Sequence, residues 1–114
     1  MKHLTSLSGR AEADLTNQYQ WYIDNASVEV AERLLSAFDA AVDRLARMPE
    51  IGRARRFRSP ELSGMRSLQI GGGFNSHLIF YRVAGGAVSV ERVMHGARDL
   101  ERRLVEPPEG FPGE

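Results

Sequence analysis

The chain has 114 residues, of which 42% are hydrophobic, and this is typical of one domain with a single core. It contains no cysteine, which excludes disulfides and thiolate metal sites and favours a reducing, cytoplasmic location. The sequence lacks the run of about 20 apolar residues that a membrane-spanning helix needs, and its N-terminus does not resemble a signal peptide.

The net charge is zero, but the charged side chains are unevenly distributed along the chain. Residues 1–52 carry five basic and eight acidic side chains, whereas residues 53–103 carry ten arginines and four acidic side chains. This excess of arginine predicts that the second half meets an anionic partner, either an acidic protein or a nucleic acid. The whole chain lacks the strong positive charge that is typical of a dedicated nucleic-acid binder.

The first predicted elements are a short strand and two helices. Residues 2–7 are predicted to form the strand, and Ser8 is predicted to cap a helix that ends near Asn25. A second helix, ended by Pro49, is predicted from one continuous apolar stripe. Because the break between the helices is short, they are expected to form an antiparallel hairpin. The stripe consists of Ala31, Leu34, Leu35, Phe38, Ala41, Val42, Leu45 and Met48.

Residues 50–64 show no periodicity, and a connection of this length in a compact domain is typical of a functional or mobile segment. Four arginines crowd within it, namely Arg53, Arg55, Arg56 and Arg58. Such a cluster is either a solvated charged loop or a binding surface, and the residues themselves leave both interpretations open.

Three antiparallel strands are predicted in the second half of the chain. Gly85-Gly86 is a specific signal for a two-residue hairpin turn, and it places residue 84 opposite residue 87. With this register, one face of the hairpin is mostly apolar and is expected to pack on the helices. Arg92 falls on that face, where a β-bulge or a position at the rim would accommodate it. The predicted strands cover residues 65–70, 77–84 and 87–95.

The other face of this hairpin carries Leu78, Phe80 and Val93, with Arg82 among its charged residues and His95 at its end. No predicted element covers this face. An apolar patch that is exposed on a sheet predicts a binding surface.

Three further features are weaker candidates for a site. On the predicted register His77 and His95 lie on opposite faces and no third ligand is near, so no metal site is expected. The triple glycine at 71–73 precedes a strand rather than a helix, which favours a hairpin loop over a phosphate-binding loop. Trp21 and Tyr22 fit core packing better than a partner-facing surface.

The segment HGARD at 95–99 leads into a closing helix that is predicted over 97–104. Gly96 allows a sharp exit from the strand, and Asp99 suits the first turn of the helix, where its carboxylate can bind free backbone amides. A general base needs an orienting partner and a substrate pocket, and the sequence demonstrates neither. The segment is therefore interpreted as structural, with Arg98 directed toward the arginine loop or the open face.

Residues 1–105 are interpreted as a single α+β domain, in the order N-terminal β-strand, α-helical hairpin, three-stranded antiparallel sheet and short C-terminal helix. Residues 106–114 are rich in proline, glycine and glutamate and are expected to form a disordered tail.

Four stretches of sequence carry a resemblance to one family: GRAEADL at 9–15, RLLSAFDAAVDRLARMPEIGR at 33–53, MRSL at 65–68, and HLIFYRV with RVMHGARDL between 77 and 100. In this order they resemble a ParE-type toxin of the RelE/ParE superfamily of toxin–antitoxin systems. The resemblance implies the RelE/ParE fold and a toxin that poisons DNA gyrase without being an enzyme and without a cofactor. It also implies a ParD-like antitoxin, whose ribbon-helix-helix part binds DNA and whose disordered segment folds onto the toxin.

The alternative within the superfamily is a RelE-like, ribosome-dependent mRNA endonuclease. Such enzymes use lysines and arginines, with a tyrosine or histidine near the C-terminus, on the scissile phosphate. Arg66 and Arg98 match arginines of that pattern, but Lys2 is the only lysine and no tyrosine or histidine follows His95. Phosphodiester cleavage would therefore lack its proton-transfer groups.

The resemblance and the arginine excess place antitoxin or target binding on the second half of the chain and on the predicted open face. No catalytic residue or metal ligand is expected there, and DNA is expected to be contacted only through the antitoxin. The residues expected to bind are Arg53, Arg55, Arg56, Arg58, Arg66, Leu78, Phe80, Arg82, Val93, His95 and Arg98.

Overall fold

The computed structural model describes residues 2–110 of the chain. Within this range the class is α+β, as predicted, although the sheet has five strands instead of four. A 3-10 turn at Pro60–Leu62 precedes the central strands. The helices and strands are β1 (Leu4–Leu7), α1 (Gly9–Asn25), α2 (Val28–Arg47), β2 (Arg53–Ala54), β3 (Arg66–Gly71), β4 (Phe74–Ala84), β5 (Ala87–His95) and α3 (Leu100–Val105).

The two long helices begin where the sequence predicts. Ser8 Oγ accepts a hydrogen bond from the backbone N–H of Ala11 at 3.0 Å, and Ser27 Oγ accepts one from that of Val30 at 3.1 Å. Each serine thus satisfies one of the free amides that every helix leaves at its start. The predicted stripe is the buried side of α2 at Ala31, Leu34, Phe38, Ala41 and Leu45. Its last member, Met48, follows the helix and is 61% exposed, so that part of the prediction is wrong.

The sheet has the strand order β1-β5-β4-β3-β2. β1 runs parallel to β5, and all other neighbours are antiparallel. The additional strand, β2, pairs Arg53 with Ser67 and Ala54 with Arg66 at one edge of the sheet. Sequence periodicity missed it because a strand of two residues has no alternation to detect.

The predicted hairpin turn between β4 and β5 is confirmed. Gly85 and Gly86 have φ values of 57° and 79°, the left-handed conformation that a tight two-residue turn requires at both positions. Ala84 lies opposite Ala87, as the turn predicts.

Farther from the turn the predicted register is wrong. Tyr81 lies opposite Val90, but its neighbour Phe80 lies opposite Arg92, so Glu91 is an extra residue in β5. This β-bulge shifts the register by one, and a shift of one residue exchanges the two faces of the strand. From the sequence alone, a bulge is only one of two ways to accommodate Arg92, and its position is not predicted.

The bulge also receives the start of α1. Ser8 Oγ donates a hydrogen bond to the carbonyl oxygen of Glu91 at 2.7 Å, and the Ser8 N–H donates to that of Val90 at 2.9 Å. One serine therefore caps the helix and fixes it on the irregular part of the sheet.

The reverse face of the sheet is not open, and this prediction is wrong. The helices cover one face, where Val93 packs with the core of α1 and α2. A second cluster covers the other face, and it is closed by the 3-10 turn and by α3. Phe80 is 0% exposed and Val93 is 1% exposed. The second cluster consists of Leu62, Met65, Phe80, Met94, Leu100 and Leu104.

The region after α3 lies against α1 as far as it is described. Pro108 is buried, and Asn17 donates a hydrogen bond to the carbonyl oxygen of Glu109 at 2.9 Å. Residues 111–114 of the predicted tail lie outside the described residues. Between residues 2 and 110 no helix is both long and apolar enough to cross a bilayer.

Candidate functional site: an arginine-rich sheet edge

The turn from α2 into β2 is held by two side chains of the sheet. Tyr81 Oη donates to the carbonyl oxygen of Pro49 at 2.7 Å and accepts from the N–H of Gly52 at 2.9 Å. Arg66 donates to the carbonyl oxygens of Glu50 and Gly52 at 3.2 and 2.8 Å. A Cβ on residue 52 would lie 2.3 Å from Tyr81 Oη, so the site accepts only glycine. These contacts fix the point at which the arginine segment leaves the helices.

Arg55 is anchored to the sheet. It donates to Ser67 Oγ at 3.1 Å, and its guanidinium carbon lies 5.5 and 5.6 Å from the ring centroids of Phe57 and Phe80. Burial, and after it the neighbouring charge of Arg53, lowers the pKa of Arg55. Arg55 therefore acts as a structural cation that covers Phe80, and only part of it is available to a partner.

The other three arginines of the segment, Arg53, Arg56 and Arg58, are exposed. Their side chains form no hydrogen bond or ion pair with any residue between 2 and 110. The domain therefore presents three uncompensated guanidinium groups along one edge of its sheet.

Two further predicted binding residues, Arg66 and Arg82, hold loops in place. Arg66 is used in the turn before β2. Arg82 donates to the carbonyl oxygens of Ser63, at 2.9 Å, and Glu61, and it lies 3.5 Å from the carboxylate of Glu91. These contacts hold the 3-10 turn against β4. Arg82 therefore helps to keep the turn in place over the second cluster.

The predicted apolar patch does not exist as a surface. Phe80 and Val93 are buried on opposite sides of the sheet, and Leu78 is partly buried against the second cluster. The bulge at Glu91 is the physical reason, because it moves Val93 to the helix side and Met94 to the reverse side.

The segment around His95 is a tight exit from β5 into α3. Gly96 has a φ of 83°, and Asp99 has a φ of 54°. Arg103 donates to the carbonyl oxygens of His95 and Arg98, at 2.7 and 2.9 Å. Asp99 occupies the N-cap position of α3, but its carboxylate accepts no amide hydrogen bond, so that part of the prediction is wrong. The side chains of His95 and Arg98 are exposed.

His77 and His95 lie together rather than on opposite faces. The bulge makes them partners across β4 and β5, with ring centroids 4.6 Å apart. His77 Nδ1–H donates to Gln18 Oε1 at 2.8 Å, and its Nε2 accepts from Tyr22 Oη at 2.9 Å. Burial, reinforced by His95, lowers the pKa of His77 to about 4. Both ring nitrogens are thus engaged, and no group of three metal-binding side chains occurs within residues 2–110.

Trp21 also departs from its predicted role in the core, since 58% of it is exposed. Tyr22 beside it is partly buried and packs on the helix-side core. A groove of about 680 Å³ lies between Trp21 and the two histidines.

The sequence missed the most strongly connected polar pair, Arg92 and Asp14. Arg92 Nε and Nη2 donate to the two carboxylate oxygens of Asp14 at 2.8 and 3.0 Å, and both side chains are buried. Arg92 Nη1 also donates to the carbonyl oxygens of Leu104, at 2.9 Å, and Glu106. This bidentate pair joins α1, β5 and the end of α3. Arg92 on an apolar face was the available signal, but nothing in the sequence identified its partner.

The comparisons with known proteins agree with this geometry. The family described as "ParE toxin of type II toxin-antitoxin system, parDE" matches residues 6–100. The chain is also 39% identical over 99 residues to Toxin ParE1 of Mycobacterium tuberculosis, covering 86% of this chain and 94% of the relative. This chain belongs to the ParE toxin family. It is a toxin of the type II toxin–antitoxin class.

Solved structures with the same fold include several toxin–antitoxin proteins. ParDE from P. aeruginosa matches with a TM-score of 0.68 and 21% identity, covering 84% of this chain and 98% of that one. RelBE2 from Mycobacterium tuberculosis matches with a TM-score of 0.57 and 19% identity, covering 83% of this chain and 99% of that one. A YoeB dimer from Staphylococcus aureus matches with a TM-score of 0.53 and 15% identity, covering 85% of this chain and 100% of that one. At these identities the matches show the RelE/ParE fold.

The ParE family match ends at Leu100, where α3 begins. It includes two parts of the stretches that carry the resemblance, PEIGR at 49–53 and RVMHGARDL at 92–100. The first, at 49–53, is the turn held by Tyr81 and Arg66, and the second, at 92–100, contains Arg92 and the exit from β5. Both motifs have structural roles in this toxin.

Proposed function

We propose that this ParE toxin acts in the cytoplasm by binding and poisoning DNA gyrase, that it catalyses no reaction itself, and that a ParD-like ribbon-helix-helix antitoxin neutralises it. Membership of the ParE family supports the choice of target. The observation that carries the non-enzymatic part is the dispersal of the arginines that a RelE-like nuclease would need.

The strand register places Arg66 and the end of β5, which leads to Arg98, at different points of the sheet. Arg66 lies opposite Tyr81 on β4, whereas His95, three residues before Arg98, lies opposite His77. The two positions are four residues apart on β4, which corresponds to about 13 Å along the strand. Arg66 is moreover committed to the turn before β2. The two arginines that match the nuclease pattern therefore do not provide one cationic cluster with a proton donor beside it, which cleavage of a scissile phosphate needs.

The proposed antitoxin surface is the edge formed by Arg53, Arg56 and Arg58, with Arg98 and His95 as further exposed candidates. Charged groups that lack partners among residues 2–110 can pair with acidic side chains of another protein. Solved structures of the same fold, one described as a chromosomal ParDE TA system and one as the toxin-antitoxin complex RelBE2, support an antitoxin partner. Leu78, Phe80 and Val93 have no place in this surface because they pack within the domain.

The target is tested with purified toxin in two parallel assays. Gyrase supercoiling should be inhibited, or cleaved DNA trapped, at toxin concentrations that leave ribosome-bound mRNA intact in a translating extract. Site-specific mRNA cleavage with undisturbed gyrase would establish the nuclease alternative instead. Toxin that arrests growth but affects neither system would point to another target.

The antitoxin surface is tested by charge reversal. Arg53→Glu combined with Arg56→Glu should weaken binding of the cognate antitoxin about five- to thirtyfold, since each exposed ion pair contributes up to about 1 kcal/mol. The control is Arg33→Glu combined with Arg47→Glu, the same charge change on α2, which should alter affinity less than about twofold. Equal effects of the two double variants would show that only the net charge matters.

A further inference from the structure

We propose that the outer edge of β2 receives an extended, acidic segment of the antitoxin as a sixth strand of the sheet. This inference rests on the proposed function and names the way in which that partner binds. It combines two features of the same few residues, the free backbone of an edge strand and the free charge of its side chains.

The backbone of β2 alternates between its neighbour and open space. The N–H of Arg55 donates to the carbonyl oxygen of Met65 on the β3 side at 2.9 Å. In an antiparallel pair the residues with such bonds alternate with residues whose N–H and C=O point away. Arg53 and Arg55 therefore bind β3, and the backbone groups of Ala54 point to the outer edge. Ala54 is exposed, and β2 is the last strand in the sheet order.

The edge also has the short length and the positive charge by which proteins keep strands from pairing indiscriminately. β2 has only two residues, and Arg53 and Arg56 are exposed on either side of Ala54 without an ion pair in the described part of the chain. Arg53 lies in β2 and Arg56 lies two residues beyond it, so a strand that pairs with Ala54 would run past two exposed cations. A neutral or basic strand would meet repulsion there, and an acidic one would meet two cations.

The same arginines would also suit the phosphates of a nucleic acid, but the backbone favours a polypeptide. The outer edge presents a C=O as well as an N–H at Ala54. A peptide strand offers a donor for the one and an acceptor for the other. A phosphodiester offers only acceptors, and its charged oxygens would oppose the carbonyl of Ala54.

The opposite edge of the sheet supplies a matched control. In β1 the N–H of Ser8, just beyond the strand, donates to Val90 on β5, so by the same alternation the N–H of Thr5 points outward. Thr5 and Ala54 are thus both exposed residues with an outward N–H at an edge of the sheet, although the N–H of His3 on the β1 edge donates to Ala46 of α2 at 2.6 Å. Only the β2 edge has arginines on both sides.

The experiment measures binding of the full-length cognate antitoxin to three full-length toxins: wild type, Ala54→Pro and Thr5→Pro. Proline removes one outward N–H and blocks strand addition without touching a bond inside the sheet. Ala54→Pro should weaken binding at least fivefold, and Thr5→Pro should change it less than twofold. Amide hydrogen exchange of the wild-type toxin provides a second readout that needs no variant, because the amide of Ala54 should become protected on binding.

An antitoxin that binds all three toxins equally, with no protection of the Ala54 amide, would overturn strand addition and leave the proposed function standing. Wild-type toxin that neither arrests growth nor binds the antitoxin would contradict the proposed function itself. A 12-nucleotide single-stranded RNA serves as the competing ligand. If it binds wild type and Ala54→Pro equally and displaces the antitoxin, the edge is a phosphate-binding surface and strand addition is wrong.

Discussion

The two faces of the sheet are closed in different ways. On one face, α1 and α2 lay long apolar stripes against β3, β4 and β5. On the other, a 3-10 turn and the six-residue α3 cover a small cluster, and polar contacts hold both of them down. Arg92 binds carbonyl oxygens at the end of α3, and Glu101 accepts a hydrogen bond from the N–H of Ser59 at 2.8 Å.

This difference shows how a small domain covers a second face with little apolar material. A short helix is marginal by itself and depends on tertiary contacts. Here those contacts are a buried ion pair and backbone carbonyls bound by arginines. The helix side should therefore carry most of the free energy of unfolding, and the reverse side should be the part that opens first.

The largest effect is expected where one contact serves both faces. Asp14→Ala leaves the guanidinium of Arg92 buried without its partner, and breaking such a pair lowers the free energy of unfolding by about 3–5 kcal/mol. Urea denaturation measures this change. Glu12→Ala, an exposed acid on the same helix, is the control and should change stability by less than about 0.5 kcal/mol. If Asp14→Ala lowers the free energy of unfolding no more than the control does, the ion pair does not hold the two faces together.

The two clusters are compared directly by removing one leucine from each. Leu34→Ala in α2 should cost about 3–4 kcal/mol of unfolding free energy, because the side chain is fully buried between helices and sheet. Leu104→Ala in α3 should cost about 2 kcal/mol, because its surroundings can collapse or open. If the two variants lose the same free energy of unfolding in chemical denaturation, the helix side does not contribute more stability than the reverse side, and this comparison of the two faces is wrong.

His77, which binds side chains of α1, makes a further contribution to the free energy of unfolding, and this contribution depends on pH. The pKa of His77 is lowered from 6.5 to about 4, so the unfolded chain binds a proton in this interval and the folded protein does not. Its contribution is complete above pH 6.5 and is lost as the pH falls toward 4, by no more than about 3 kcal/mol. The stability of His77→Gln should depend less on pH over this range. Parallel curves for the two proteins would refute the assignment.

The smallest effect is expected in the turn that presents the arginine segment. Tyr81→Phe removes the donor to Pro49 and the acceptor for the Gly52 amide, which should lower the free energy of unfolding by about 1–2 kcal/mol. Tyr19→Phe on α1 is the control and should be close to neutral. The variant should also speed amide exchange at Gly52. Unchanged exchange there would show that the turn is held by other contacts.

The sequence predicts one face of this molecule far better than the other. The stripe of α2 follows the helical period and the Gly85-Gly86 turn follows local backbone chemistry. Both are confirmed, except that Met48 at the end of the stripe is exposed. The bulge at Glu91 has no signal of its own, yet it exchanges every later residue of β5 between faces. For this reason the predicted open patch and the separation of His77 from His95 were wrong.

The reverse face was missed for a second reason. Its apolar residues come from segments without periodicity, such as Leu62 in the 3-10 turn and Leu100 in α3, which meet only in the folded chain. The arginine-rich segment was apparent from composition. The sequence does not reveal which of these arginines contact other residues of the same chain. That depends on tertiary neighbours, such as Ser67 beside Arg55.

Methionine oxidation tests most directly whether the chain itself closes both faces. Met65 and Met94 lie in the reverse-face cluster and are 3% and 4% exposed, whereas Met48 after α2 is 61% exposed and serves as the internal reference. With dilute hydrogen peroxide and peptide mass spectrometry, Met48 should form sulfoxide at least about tenfold faster than the other two, because oxidation follows exposure. Equal rates at all three positions would show that the reverse face is open to solvent.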